Sequence, residues 1–453
     1  MDLFLAQVQQ ATQAQFVPAT PATDLRVRGW SIDSRTVGEG DLFFAIKGDR
    51  FDGHAFTAAA LERGAVAAVV SEAVTPAATH GLLLQVGDTL RALQALAHWA
   101  RRNWGRPIVA VTGSAGKTGT KDIIAELLSV RLRIGKTVGN LNNHIGLPLT
   151  LLRIPDDAEV AVVELGMNHA GEIRHLASIA EPQYGVVTNV GYAHVESFDS
   201  IEGVAAAKRE LIESLPASGI AVLNADDPLV LKFREVHPDR ALSYGFSAKA
   251  DIQATEVEIH PNGAAFTVRG VRFHSHLSGR YGVSNVLAGL AVAHLFHIEF
   301  SELADTVARL SPGKMRGERH HWRDITVLND SYNSNPEAAR NMIDVLCAEA
   351  AKRRIAVLGE MLELGHMSGK LHRDLGAYAA RAGVDVLIGI RGAARLMVEE
   401  AQNAGLSEAA AFFFEDSEAA GFFLRDFARP GDAILFKGSR GTYVERALDR
   451  MEA

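Results

Sequence analysis

One stretch constrains this chain more than any other. In VAVTGSAGKTGTKD, residues 109–122, an apolar strand pattern runs straight into a glycine-rich loop and on into a helical pattern. A strand that feeds a helix returns to its sheet by a crossover, so this junction belongs to a parallel sheet covered by helices. The glycines let backbone N–H groups converge on phosphate oxygens, and the helix adds its positive N-terminus. Gly113, Ser114, Ala115, Gly116, Lys117, Thr118 and Gly119 form the predicted phosphate cradle, with Lys117 reaching the β and γ phosphates and Thr118 holding Mg²⁺. The spacing departs from the usual G-x-x-x-x-G-K-[ST]: Val111 stands at the first glycine position and a glycine stands at 113. A glycine-rich turn without a ligand is the plain alternative. The strand before it and the helix after it favour a nucleotide site.

The rest of the chain supplies the frame. With 453 residues it is too long for one core, and roughly 150 residues per domain predicts three. Hydrophobic content of 47% with 22% charged residues is that of a folded globular protein. A net charge of -8 speaks against broad nucleic-acid binding. Cys347 is the only cysteine, so no internal disulfide forms and a reducing compartment is expected. MDLFLAQVQQATQAQ has no basic start and no long apolar run, which predicts no signal peptide. No apolar stretch nears the about 20 residues a membrane span needs. The expectation is a soluble, cytoplasmic protein.

Three α/β units are predicted. Residues 1–83 form a small unit with DLFFAI and GAVAAVV as strands around the helical DGHAFTAAALERG. Residues 84–311 form a central parallel sheet, entered through a linker helix over 84–106 that Gly105 and Pro107 end. Its strands include VAVVELG, YGVVTNVG and GIAVLNADD, and an antiparallel hairpin around PNG flanks it at 250–280. Residues 312–453 form a Rossmann-like unit with strands ITVLND, RIAVLGEM, DVLIGI and DAILFKG, without a G-x-G-x-x-G.

Further polar residues fall at strand ends. Glu164 closes an apolar strand, and Asn189 and His194 follow another. Ligands gather outside the carboxyl ends of parallel strands, so a carboxylate and an imidazole beside a phosphate loop are candidate metal ligands. Singly, each also fits a satisfied polar residue. In TVGNLNNHIGLPLTLL, Asn140, Asn142 and Asn143, read alone, are more often turn residues than ligands. Lys208, in AAAKRELIESLP, reads by composition as a solvated lysine.

The shorter loop resembles that of the Mur ligases and folylpolyglutamate synthases, which form peptide bonds with ATP. SIDSRTVGEGDLFFAIKGDRFDGHAF resembles the UDP-binding motif of the Mur ligase family, and TVGNLNNHIGLPLTLL, ELGMNHAGEI, NDSYNSNP, GEMLELG and LFKGSRG are similar to its other motifs, in order, over nearly the whole chain. The resemblance implies an ATP-dependent ligase using two Mg²⁺ ions, with UDP-MurNAc-tripeptide and D-alanyl-D-alanine as substrates and a monomeric state. It implies catalytic roles for Lys117, Lys208, His194 and Arg316, with Glu164, His194 and a carbamylated Lys208 holding the second Mg²⁺. It puts Asn285 at adenine, Arg316 and Asp330 at the nucleotide, Asn333 at the dipeptide, Ile32 and Ser34 at uridine, and Asn140 and Asn143 at substrate. Two departures stand out: Asn329 replaces the family's commoner aspartate, and Lys314 its commoner arginine. A sibling ligase or a folylpolyglutamate synthase adding one amino acid is the alternative. A P-loop switch predicts N-K-x-D after the loop, which is lacking.

Overall fold

The computed structural model describes residues 2–17, 24–48, 51–72 and 82–453; Asp49 and Arg50 of the N-terminal motif lie outside them. Three main sheets follow one another along the chain.

The first is five-stranded, in the order Gln15–Val17, Leu82–Gln85, Ala67–Val70, Asp41–Phe44, Gly29–Ser31. Only Gln15–Val17 is antiparallel to its neighbour. The helix Thr89–Trp104 leaves this unit. Asp88 caps it by accepting from Leu90 N and Arg91 N, and Gly105 ends it at φ +65. Its apolar stripe, Leu93, Leu96, Ala97 and Ala100, is fully buried. The buried Arg101 donates to the Ala180 carbonyl at 2.6 Å, and Thr89 donates to the Ala45 carbonyl at 2.9 Å. The helix is thus bonded to both units it joins.

The central sheet has seven strands, all parallel, in the order Ile252–Gln253, Ala241–Gly245, Ile220–Asn224, Tyr184–Val187, Ile108–Thr112, Val160–Glu164, Ile134–Lys136. Every residue of Ile108–Thr112 and Val160–Glu164 is buried, which is why these strands read as unbroken apolar runs. From Ile108–Thr112 the chain first builds to one side and then to the other. The loop after that strand therefore opens at the switch point, where the covering helices part and leave a crevice. The flank is larger than the predicted hairpin. Thr255–His260, Gly263–Val268 and Val271–Ser275 form a three-stranded antiparallel sheet. Its second turn is the two-residue Arg269–Gly270, both at positive φ, the geometry that reverses twisted strands tightly.

The third sheet has six strands, in the order Glu318–Trp322, Ile325–Asp330, Asp432–Lys437, Arg353–Gly359, Val386–Ile390, Ala411–Phe414. All pairs are parallel except the first. The two edge strands are additions to the four predicted ones. ERHHW carries no apolar alternation because it is an edge, tied back by a turn at Arg323 and Asp324 with both φ positive. AFFF is half-buried under Phe423 and Phe427. Among the described residues no helix is long and apolar enough to cross a membrane.

Candidate active site

The glycine loop is fixed by its backbone. Gly113 stands at φ +152, and a Cβ there would lie 1.9 Å from Thr188 Oγ1. Gly116 stands at φ +79 as the residue before the helix Lys117–Leu128, and a Cβ there would meet Asn285 Oδ1 at 2.8 Å. Only glycine fits both positions. Asn189 clamps the loop: its Oδ1 accepts from Ala115 N at 2.8 Å, its Nδ2 donates to the Ala115 carbonyl at 3.0 Å, and its own carbonyl accepts from Ser114 N at 3.0 Å. Ser114 Oγ donates to the Gly191 carbonyl at 3.0 Å. Lys117 Nζ donates to the Gly113 carbonyl at 2.7 Å. Burial draws the Lys117 ammonium below its usual range, and Arg316 adds to this against the opposing Glu164 and Glu363.

Loop and helix open on a cavity of about 1820 Å³. A pocket for one drug-sized ligand holds about 300–1,000 Å³, so this space suits more than one ligand. Residues 114–119 line it, and the first turn of a helix leaves its N–H groups without intrahelical partners.

Glu164 closes the adjacent strand with 2% exposure. Thr118 Oγ1 donates to its Oε2 at 2.8 Å and Asn142 Nδ2 to its Oε1 at 2.7 Å. Among the described residues no cation comes within 4 Å of this carboxylate. Its two oxygens meet neutral hydrogen-bond donors, and Lys117 acts on it electrostatically from further off. His194 lines the same cavity, at left-handed φ +61. Lys208, on the helix Ile201–Glu213, is 1% exposed and is not among the residues that line the cavity. It has no carboxylate within 4 Å among the described residues. Burial pushes its amine well below the usual lysine range, and the charge of Lys117 adds to this. The reading of Lys208 from composition as a solvated lysine is thereby corrected: the helix turns it inward. The Thr118 hydroxyl, the Glu164 carboxylate and the His194 imidazole all line the cavity, and as donors they fit a hard divalent cation.

The third unit supplies the opposite wall. Asp330 and Lys437 form a buried pair, and burial raises the Asp330 carboxyl against the pull of Lys437. Lys437 also donates to the Asn333 carbonyl at 3.0 Å. Arg316 lies over the Tyr332 ring, 3.8 Å from its centroid. Arg316, Asp330 and Asn333 all face the cavity, as do Lys314 and Asn285, whose Oδ1 accepts from Thr120 Oγ1 at 3.1 Å.

The asparagine turn is split. Asn140, Asn142 and Asn143 all line the cavity, yet Asn143 Oδ1 is taken by Gly146 N at 2.8 Å, the first residue of the helix Gly146–Leu152. Asn142 is the one that reaches Glu164. Ile32 and Ser34 do not line this cavity; Ile32 packs against the first unit's core. Sequence reasoning named Asn142 only as one of three turn asparagines, and it missed Asn335 and Glu363 as site neighbours. Asn335 Nδ2 donates to the Ser114 carbonyl at 3.3 Å while its Oδ1 caps the helix Pro336–Cys347. Its Asn-Pro signal marks a helix start, not what else the side chain touches.

A second acidic group, Asp52, His54 and Glu72, lies in the first unit. His54 Nδ1 is held 2.6 Å from Asp52, its Nε2 accepts from Ser71 N at 2.9 Å, and Glu72 pairs with Lys47. Both ring nitrogens are used in tying a loop down.

Known proteins resemble this chain along most of its length. The Mur ligase family, catalytic domain, matches residues 26–102; the Mur ligase middle domain matches 111–293; and the Mur ligase glutamate ligase domain matches 315–440. The chain is 34% identical to a UDP-N-acetylmuramoyl-tripeptide–D-alanyl-D-alanine ligase of Bacillus subtilis over 93% of this chain and 92% of that one. It is 36% identical to the Escherichia coli protein of that name over 81% and 82%. A crystal structure of MurF from Acinetobacter baumannii superposes with a TM-score of 0.91 at 30% identity, over 100% and 99% of the two chains. MurF ligase from Thermotoga maritima in complex with ADP gives 0.82 at 30% identity over 94% and 97%. A Mycobacterium tuberculosis folylpolyglutamate synthase, at 17% identity over 80% of this chain and 95% of that one, shares the fold (TM-score 0.64).

Proposed function

The chain belongs to the Mur ligase family, and from that premise we propose that it joins D-alanyl-D-alanine to UDP-MurNAc-tripeptide at the expense of ATP, through an acyl phosphate. One observation carries the reading: the glycine loop and Glu164 on one side, and Arg316, Asp330 and Asn333 on the other, open on a single cavity large enough for nucleotide and acceptor together. Residues 1–83 are proposed to hold the UDP moiety, with Ile32 and Ser34 at uridine. Residues 84–311 carry the ATP site and 312–453 the acceptor site. The enzyme is proposed to act as a cytoplasmic monomer.

The chemistry brings two anions together, a carboxylate and the γ-phosphate. Two Mg²⁺ ions, held by Thr118 and by Glu164, His194 and a carbamylated Lys208, supply charge neutralisation when bound. The chain's own residues do the rest. Backbone N–H groups of 116–119, at the start of the helix, hold the phosphate oxygens. Lys117 exchanges its bond to the Gly113 carbonyl for phosphate, and Arg316 meets the charge that builds during transfer. Asn285 reads adenine, Asp330 the nucleotide and Asn333 the dipeptide. The carboxylate takes the γ-phosphoryl group and releases ADP. The dipeptide amine then attacks the activated carbonyl, the C–N bond forms, and phosphate leaves. Walls from two units position both reactants and keep water from the acyl phosphate.

The test is phosphate release from ATP with UDP-MurNAc-tripeptide, with and without D-alanyl-D-alanine. Turnover that requires the dipeptide is expected. Turnover supported equally by a single amino acid, or independent of any acceptor, overturns the assignment.

A further inference from the structure

Two loops meet between the central and third units, and one brings a carboxylate with no assigned role. His194 precedes the short turn Val195–Ser197, and Glu363 lies in the turn after the strand Arg353–Gly359. Both are non-glycine residues at left-handed torsions, φ +61 and φ +64. Such torsions persist where surrounding structure fixes them, and they collect at functional sites.

Here the fixing groups are visible. Glu196 N donates to the Glu363 carbonyl at 3.0 Å. A Cβ on Gly365 would stand 3.0 Å from Glu196 Cα, so the loops pack without a gap. Met361 N donates to His372 Nε2 at 2.9 Å and Leu362 N to Ser439 Oγ at 2.9 Å, which pins the turn from below. The result puts Glu363 Oε2 2.5 Å from His194 Nδ1. That nitrogen is buried, and the Glu363 carboxylate is the acidic group that meets it. Glu363 has no other ion-pair partner among the described residues.

We infer that Glu363 is a positioning residue for His194: it occupies Nδ1, leaves Nε2 as the ring nitrogen free for the cation beside Glu164, and does so only while the third unit is docked. A histidine that ligates a metal through one nitrogen commonly gives the other to a carboxylate, which fixes the ring and raises its basicity. What is particular here is that the carboxylate comes from a different unit, so docking and cation binding assist one another. The inference rests on the proposed cation role of His194.

The experiment titrates full-length protein, saturated with a non-hydrolysable ATP analogue, with Mn²⁺, reading free Mn²⁺ by its spin resonance. Two binding events are expected in the parent protein. His194→Ala should lose the second. Glu363→Gln, close to isosteric at a half-exposed position, should weaken the second about tenfold and leave the first unchanged; Glu363→Ala should weaken it at least as much. If His194→Ala loses the second event while both Glu363 variants keep parental affinity, the positioning role is wrong and the cation site stands. If His194→Ala keeps the second event, the cation reading fails and this inference with it. If the Glu363 variants weaken both events equally, Glu363 supports the loops in general and the inference is overturned.

Discussion

Thr118 donates its hydroxyl to Glu164 at 2.8 Å, joining the first turn of the loop helix to the end of the neighbouring strand. With Asn142 on the other oxygen, the carboxylate is oriented by two neutral donors. Glu164→Gln keeps the shape and removes the charge. We expect kcat to fall by about 100-fold or more with a smaller change in affinity for a non-hydrolysable ATP analogue. Steady-state kinetics and analogue binding check this; an unchanged kcat refutes it.

Gly113→Ala tests the loop itself. The added methyl meets Thr188 Oγ1, and the φ of +152 is strained for alanine at a cost of about 1–3 kcal/mol. The strain falls on the loop while the strand Ile108–Thr112 stays buried behind it. ATP-analogue affinity should drop at least tenfold with only a modest loss in melting temperature. Parental affinity would show that the loop relaxes freely.

Lys208→Ala tests the buried amine. With no carboxylate near it, the lysine contributes no ion pair to lose, so the variant should fold. Activity should fall by about 100-fold or more and return in part with millimolar acetate or formate standing in for the carbamate. An unaffected variant, or an inactive one that no small carboxylate rescues, rules out the carbamate role.

His372 gives a pH signature. Burial lowers its pKa below the ordinary 6.5, against a smaller upward pull from the Ser368 carbonyl. The unfolded chain therefore binds more protons than the folded one between the lowered value and about 6.5. Stability from this group is complete above about pH 6.5 and declines as pH falls through that window, by at most about 1.4 kcal/mol per pH unit. Melting temperatures from pH 5 to 8 should show the slope in the parent protein and a flatter profile in His372→Leu. Parallel profiles would mean that His372 is not held neutral.

What the sequence made legible follows contact distance along the chain. The loop, Lys117, Thr118 and the placement of Glu164 and His194 at strand ends are local consequences of strand-to-helix grammar, and the structure brings all four to one cavity. Asn140, Asn142 and Asn143 all line the cavity, and the pattern could not say which one reaches Glu164, because that partner lies 22 residues on at the end of another strand. The edge strand ERHHW hid because half-exposed edges need no apolar alternation. Glu363 was invisible for a different reason. Its meeting with His194 joins loops of two units, and nothing in either loop's composition encodes the other.

The helix Pro336–Cys347 begins with Asn335 bonded to the Ser114 carbonyl, and its Glu337 carboxylate accepts from Tyr192 N at 3.3 Å. These bonds make the phosphate loop a property of the whole protein. A chain cut at residue 311 would keep every residue of the loop and lose the scaffold that completes it, returning the Ser114 carbonyl and the Tyr192 amide to water. The units look like separable modules on paper. At the nucleotide site they are not severable.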